Sequence, residues 1–140
     1  MTDKVTKSSY VVDASVVVKW FTREENTPQA RLILNKLLQD EISVFVPDLI
    51  IYEVTNALWK GKRLEKEVII ESIETLWHSK IQFEQLGILL IETVTNFMIK
   101  YDLTSYDAMY AALAYVLGVP LLSADSKAHK NIKEIEVVEL

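Results

Sequence analysis

Four acidic residues occur inside or directly beside apolar segments of this sequence. Two of them close short apolar runs, one lies within an apolar stretch, and one begins an almost wholly apolar segment; they are Asp13, Asp125, Glu53 and Asp107, respectively. Charged side chains are seldom buried unless they are paired or bind a metal ion. The pattern therefore makes these four carboxylates candidates for chemistry.

The three aspartates also have a purely structural interpretation. Asp13 and Asp125 fit the N-cap position of the segments that follow them, and such a cap contributes about 1 kcal/mol. Asp107 lies three residues after Thr104 and fits a capping box at the start of a helix. For any one aspartate taken alone, capping is the favoured explanation.

Glu53 is harder to explain by capping, because it lies five residues past Asp48 in a predicted helix. Its structural alternative is a solvated helix face shared with Asn56 and Lys60. If the four carboxylates meet, however, two of them about 4 Å apart repel by about 4 kcal/mol at an effective dielectric near 20. Raised pKa values or a bound divalent cation must then offset the repulsion.

An oxygen-only ligand set selects hard ions, so the predicted cofactor is Mg²⁺ or Mn²⁺ rather than zinc. Such an ion keeps open positions for water and for substrate phosphates. The chemistry that it supports is attack of a metal-activated water on a phosphodiester.

The elements that must position these carboxylates alternate between strand and helix patterns. Short apolar, β-branched runs predict strands, and apolar residues at helical spacing predict helices. The predicted strands cover residues 10–13, 43–46, 81–85, 120–123 and 134–138. The predicted helices cover residues 14–21, 28–39, 48–60 with Asp48 as N-cap, 65–79 with Trp77 facing inward, 88–101 and 105–117, the last central and buried.

This alternation predicts a three-layer α/β/α domain with a central, mostly parallel sheet. In such folds ligands bind outside the carboxyl ends of the strands. Two predicted strands end in or just before an aspartate, Asp13 and Asp125. This is the sequence's first indication of where a site lies.

Composition limits the remaining possibilities. The 140 residues suit one domain, predicted over residues 10–140 after a polar tail at 1–9, and the absence of cysteine excludes thiolate chemistry and disulfides. A formal charge of −5 gives no support to nucleic-acid binding through a broadly basic surface. Without a membrane span or the apolar region of a signal peptide, we expect a cytoplasmic protein.

Four segments of the chain carry the acids in a recognisable order: YVVDAS at 10–15, PDLIIYEVTNAL at 47–58, LTSYDAMYAALA at 103–114 and LLSAD at 121–125. Together they resemble PIN-domain ribonucleases, and most of all the VapC toxins of type II toxin–antitoxin pairs. The third is the most specific. The resemblance runs from residue 10 to residue 140 in the order and spacing of that family.

The resemblance implies roles for individual residues. Asp13 and Asp107 would hold the principal metal ion, and Glu53 and Asp125 would complete the site or hold a second ion. Around them, Ser15 would support Asp13, Asn56 would orient Glu53, and Thr104 or Ser105 would orient Asp107. The resemblance further implies a homodimer, a small antitoxin partner and an RNA substrate.

The nine-residue N-terminal extension and the segment after Asp125 depart from the family pattern. Asp125 is followed by Ser126-Lys127-Ala128-His129, where relatives often place a bulky apolar residue. His129 is compatible with an RNA contact, but a solvated helix histidine is the favoured interpretation.

Other classes of protein share parts of this pattern. A phosphatase with a nucleophilic aspartate requires a second acid two residues on, and Ser15 occupies that place. A phospho-accepting receiver domain requires an acidic pair beside the first strand, and residues 43–48 match its acceptor strand only weakly. The remaining alternative is a non-catalytic PIN-like module that binds RNA or a protein, against which the retention of all four acids argues.

Overall fold

In the computed structural model, residues 7–85 and 87–140 are described, and they contain five β-strands and six α-helices. The strands are β1 (Ser8–Val12), β2 (Ile42–Pro47), β3 (Gln82–Glu84), β4 (Leu121–Ser123) and β5 (Val137–Glu139). The helices are α1 (Ala14–Val18), α2 (Thr27–Leu38), α3 (Ile50–Asn56), α4 (Lys66–Trp77), α5 (Ile88–Tyr101) and α6 (Ser105–Leu117). A π-helical turn (Ala57–Gly61) continues α3, and a 3₁₀ turn (Ser126–Ala128) follows β4.

The strands form one parallel sheet in the order β3-β2-β1-β4-β5. The chain builds the sheet outward from β1 in one direction through β2 and β3, and in the other direction through β4 and β5. Parallel sheets open a crevice at the carboxyl ends of the strands where the order reverses. Here that point lies between β1 and β4, and the predicted α/β/α class with a parallel sheet is confirmed.

The core is built on β-branched strand residues that are covered by a small-residue helix. Val11 and Val12 of β1 and Val44 and Val46 of β2 are completely buried, as parallel strands covered on both faces require. Helix α6 packs against β1, β2 and β4, and its buried alanines allow that close approach. Only residues 108–114 are buried, while 105, 106 and 115–117 are exposed, so the prediction of a buried helix holds for its middle part alone.

The first strand begins at Ser8, two residues before its predicted start, so the predicted tail at 1–9 overlaps β1. Ser8 pairs with Ile42 and Ser9 with Ser43. Backbone hydrogen bonds make this ladder, and polar side chains do not prevent it. Residues 1–6 of the predicted tail lie outside the described residues.

Two helix predictions were wrong in detail. Asp48 is not the N-cap of α3, because Leu49 precedes the helix without a side-chain cap, and the Asp48 amide donates to the Glu84 carbonyl 3.0 Å away. Asp48 therefore extends the ladder between β2 and β3. Trp77 is 58% exposed rather than inward, and its ring lies 5.2 Å from that of Phe83.

In the described part of the chain, no helix combines the length and the apolarity needed to cross a bilayer.

Candidate active site

The four acidic side chains that the sequence singled out line one pocket at the carboxyl edge of the sheet. The pocket has a volume of about 260 Å³. Asp13 directly follows β1, Glu53 lies in α3, Asp107 lies in the first turn of α6, and Asp125 lies two residues after β4. Its other polar lining residues are Ser15, Tyr110, Lys127 and His129. Side chains that are far apart in sequence thus share one space.

Asp13 is the most buried of the four carboxylates, with 6% of the residue exposed. Its side chain makes no cap hydrogen bond and instead accepts hydrogen bonds from the hydroxyls of Ser15 and Ser123, the latter at 2.5 Å. Burial raises the pKa of Asp13, and the hydrogen bonds from Ser123 and Ser15 oppose that rise. Capping therefore does not explain Asp13, and its carboxylate lacks sufficient compensation within the protein.

The two serines also join the loop after β1 to the loop after β4. The Ser15 hydroxyl accepts a hydrogen bond from the Ala124 amide at 2.9 Å, and the Ser123 hydroxyl accepts one from the Asp125 amide at 3.1 Å. Sequence reasoning placed Ser15 beside Asp13 but missed Ser123. The only available signal was that Ser123 ends a strand beside the predicted edge.

Glu53 is half-buried, and its partner comes from α6. The Tyr110 hydroxyl donates a hydrogen bond of 2.7 Å to Oε1 of Glu53. Burial raises the pKa of Glu53, the charges of Asp107 and Asp13 raise it further, and the Tyr110 hydrogen bond opposes them. Tyr110 is itself buried, and this burial together with the Glu53 charge raises its pKa, so that it stays a donor.

Glu53 does not share a solvated helix face with Asn56 and Lys60. Those two residues are exposed, whereas Glu53 is half-buried. Among the described residues, the side-chain hydrogen bond to Glu53 comes from Tyr110 and none comes from Asn56. The orienting role implied for Asn56 therefore has no contact to support it. Tyr110 lies within the sequence motif at 103–114, but the sequence alone indicated no role for it.

Thr104 begins α6 and thereby fixes the position of Asp107. Its hydroxyl accepts a hydrogen bond of 3.2 Å from the Asp107 amide, as an N-cap does. The cap thus uses the Asp107 backbone, while the Asp107 side chain lines the pocket. Ser105 is exposed and does not line the pocket, so of the two alternatives Thr104 is the residue in contact with Asp107.

Asp125 is exposed, and it does act as a cap. Its carboxylate accepts a hydrogen bond of 3.4 Å from the Lys127 amide at the start of the 3₁₀ turn. The same side chain lines the pocket. Asp125 therefore caps the 3₁₀ turn and also lines the pocket.

His129 was expected to be a solvated histidine, and that expectation is wrong. The residue is 2% exposed and lines the pocket. Its Nε2 lies 3.0 Å from the carbonyl oxygen of Asp107, and its Nδ1 lies 3.7 Å from Oδ2 of Asp13. The sequence signal was that relatives often have a bulky apolar residue in this segment, which indicates a buried side chain.

The donor set suits a hard divalent ion, because carboxylate oxygens predominate and two of the carboxyls have raised pKa values. A nearby positive charge would stabilise both of them in the charged form. Within residues 7–85 and 87–140, however, no three acidic or histidine side chains already lie close enough together to hold a cation. The chemistry of the donor set fits a metal ion, whereas its present spacing does not bring three ligands together in the described part of the chain.

Positive charge near the pocket is limited. Lys127 lines it, and Lys19 lines an adjoining cavity of about 380 Å³ that shares Ser15, Glu53 and Asp125 with it. The ammonium group of Lys19 binds Glu24 at 2.7 Å, so this lysine is already paired within the protein.

The fold and the acidic pocket define the class of this protein. Residues 10–134 match the PIN domain, and the chain belongs to the PIN-domain family. Among curated relatives, it is 31% identical over 122 residues to Ribonuclease VapC3 of Pyrobaculum aerophilum, a match that covers 82% of this chain and 88% of the relative. The resemblance deduced from the four sequence segments is confirmed.

Solved structures share the fold. One is DNA-bound VapBC from Salmonella typhimurium, with a TM-score of 0.72, 13% identity and coverage of 94% of this chain and 98% of that one. Another is the sarcin–ricin-loop-cleaving toxin VapC20 of Mycobacterium tuberculosis, with a TM-score of 0.68, 15% identity and coverage of 85% and 92%. At these identities the likeness concerns the fold alone.

Proposed function

We propose that this protein is a divalent-metal-dependent endoribonuclease and the toxin component of a toxin–antitoxin pair. The observation that carries the proposal is the convergence of Asp13, Glu53, Asp107 and Asp125 on one pocket at the carboxyl edge of the sheet. It is supported by membership of the PIN-domain family and by 31% identity to a ribonuclease.

In this proposal Asp13 and Asp107 hold the principal ion, and Glu53 and Asp125 complete the site or hold a second one. The ion is Mg²⁺ or Mn²⁺, as expected for a site dominated by carboxylate oxygens. Bound there, it supplies an activated water and positive charge against the charge that develops on the phosphodiester.

The surrounding residues keep the carboxylates in place. Ser15 and Ser123 hold Asp13 through their hydroxyls, and Tyr110 holds Glu53. Thr104 fixes the first turn of α6 and with it Asp107. Such partners restrict the rotamers of the acids, so less ordering remains to be done when an ion or substrate binds.

RNA would approach through the two adjoining cavities, which share Ser15, Glu53 and Asp125. Lys127 lies at the wall of the pocket and would position the RNA backbone without reading its sequence, whereas Lys19 is paired with Glu24. Because the chain carries a formal charge of −5, Lys127 and the bound ion must offset the overall repulsion of a polyanion.

The proposed partners are a small antitoxin and a second copy of this chain, and the proposed location is the cytoplasm. Structural neighbours that were solved as VapBC complexes, from Rickettsia felis and Salmonella typhimurium, support the antitoxin. Exposed apolar side chains on α5 and α6, among them Ile88, Ile99 and Val116, support a homodimer.

The test is cleavage of a mixed RNA pool by the purified protein, with and without Mg²⁺ or Mn²⁺. We expect ion-dependent cleavage that falls by about 1000-fold in Asp13→Asn and Asp107→Asn, because each loses a charge facing the reacting groups. Asp102→Asn is the matched control, since Asp102 is exposed and adopts a left-handed conformation that asparagine also accepts. A folded Asp13→Asn that cleaves as fast as the wild type would contradict the proposal.

The alternative is a PIN-like module that binds RNA or a protein without cutting. It is favoured by the absence, within the described residues, of three acidic or histidine groups close enough to hold an ion. The same experiment separates the two functions, because a binding module retains RNA but yields no products at any ion concentration.

A further inference from the structure

His129 is a buried polar side chain that the four-carboxylate assignment does not use. It is 2% exposed, and its Nε2 lies 3.0 Å from the carbonyl oxygen of Asp107. Because a carbonyl oxygen can only accept a hydrogen bond, the contact assigns the proton of a neutral ring to Nε2. Nδ1 then carries a free lone pair.

That lone pair lies beside a carboxylate. Nδ1 is 3.7 Å from Oδ2 of Asp13. In the described part of the chain, Nδ1 of His129 is a fully buried side-chain nitrogen without a hydrogen-bond partner. Two buried acceptors that lie side by side are unfavourable unless something positive lies between them. A cation bound between the two atoms would remove this unfavourable contact.

The arrangement around the ring is that of a metal-binding histidine. Such residues almost always donate their other ring N–H to a carboxylate, a backbone carbonyl or water, which fixes the tautomer and the ring orientation. Here the Asp107 carbonyl oxygen is the acceptor for the N–H of Nε2. The separation of 3.7 Å between Nδ1 and Oδ2 is shorter than two metal–ligand bonds of about 2.1 Å each, so both atoms can contact one ion.

We propose that Nδ1 of His129 is a metal ligand beside Asp13, which makes the site a mixed nitrogen–oxygen site with a preference for Mn²⁺ over Mg²⁺. Imidazole favours transition-metal ions, whereas carboxylates alone suit Mg²⁺. The inference rests on the proposed function, because it concerns the ion of the same pocket. It adds a ligand type that four acids alone would not provide.

Pulsed electron paramagnetic resonance on the full-length protein loaded with Mn²⁺ tests this directly, because a coordinated nitrogen modulates the electron spin echo. The chain has only two histidines, so His78→Gln leaves His129 as the sole one. We expect nitrogen modulation in the wild type and in His78→Gln. Growth of His78→Gln with ¹⁵N-histidine should replace the ¹⁴N pattern by that of ¹⁵N, which identifies His129 without altering it.

His129→Gln provides the complementary variant, since its amide N–H can still donate to the Asp107 carbonyl while the imidazole is lost. We expect this variant to lose the nitrogen modulation and about 10- to 100-fold of its Mn²⁺ affinity. Its Mg²⁺ affinity should change less. Matched circular dichroism and melting curves without ion establish that it folds.

The outcomes separate this inference from the proposed function. Bound Mn²⁺ without nitrogen modulation in the wild type overturns the inference, while ion-dependent RNA cleavage would leave the proposed function standing. Modulation that survives in His129→Gln, or that stays ¹⁴N-like in the labelled protein, overturns it as well. If Mn²⁺ does not bind at all, both the inference and the metal dependence of the nuclease are wrong.

Discussion

Asp13 is a buried acid and Glu24 is a partly buried one, but their surroundings shift their pKa values in opposite directions. Burial opposes the charge of Glu24, but hydrogen bonds and charges from Lys19 and Lys62 outweigh it and lower the pKa of Glu24 to about 2. The two ammonium groups lie 2.7 and 2.6 Å from its carboxylate. The chain itself thus supplies the positive charge that this structural acid needs.

Around Asp13 the chain supplies hydroxyls in place of ammonium groups, and burial raises the pKa of its carboxyl. Glu53 shares this state, because burial and its acidic neighbours raise its pKa as well. The difference teaches that a structural acid of this fold has ammonium partners, whereas the described partners of Asp13 and Glu53 in the pocket are hydroxyl groups.

The largest expected effect is stabilisation by Mn²⁺. At a concentration one hundred times the Kd, binding to the native state alone adds about 2.7 kcal/mol to the free energy of unfolding, which is about 8 °C in Tm for a domain of this size. Asp13→Asn should lose this shift, whereas Glu24→Gln should keep it. Differential scanning fluorimetry across an Mn²⁺ titration measures both, and equal loss in the two variants would contradict the comparison.

The second effect is the pH dependence of Glu24. A carboxyl whose pKa is lowered on folding contributes stability above its unfolded pKa of 4.5, and this stability is lost as pH falls toward the folded value of about 2. After allowance for solvent screening, we expect Glu24→Gln to lower the free energy of unfolding by about 1 to 2 kcal/mol at pH 7. The difference from wild type should shrink steadily below about pH 4.5 and become small near pH 2.

Urea unfolding of wild type and Glu24→Gln at pH 7, 4 and 2 measures this convergence. Glu25→Gln is the matched control, because Glu25 is the adjacent exposed acid. A gap between wild type and Glu24→Gln that stays constant down to pH 2 would show that the lysine pairs are not the cause.

The smallest effect concerns the hydroxyl that supports Asp13. Ser123→Ala removes the donor to Asp13 and the acceptor for the Asp125 amide, so we expect a loss of about 1 kcal/mol in stability and about tenfold in Mn²⁺ affinity. Ser105→Ala, at an exposed position, should change stability by less than about 0.5 kcal/mol. Chemical unfolding and calorimetric Mn²⁺ titration of both variants compare them, and identical behaviour would contradict a supporting role for Ser123.

Local sequence signals were sufficient to predict the ends of an element wherever residues at those ends start or stop it. Helices α5 and α6 were predicted with their exact limits, because Gly87, Thr104 and Gly118 provide local starts and stops. The predicted start of β1 was wrong because Ser8 and Ser9 join the sheet through their backbones. Asp48 was wrongly predicted to be an N-cap because its amide donates to the Glu84 carbonyl of β3, and helix propensity cannot reveal that partner.

The sequence by itself determined the class of fold, the family and the four acids, because apolar periodicity and carboxylates inside apolar segments are visible along the chain. Only the tertiary structure decided which groups surround those acids. Ser123 and His129 lie beside Asp13, and Tyr110 lies beside Glu53, although the members of each pair are far apart in sequence. Whether a carboxylate is neutralised by lysine, as at Glu24, or left for an ion, as at Asp13, depends on distances of a few ångströms that packing alone fixes.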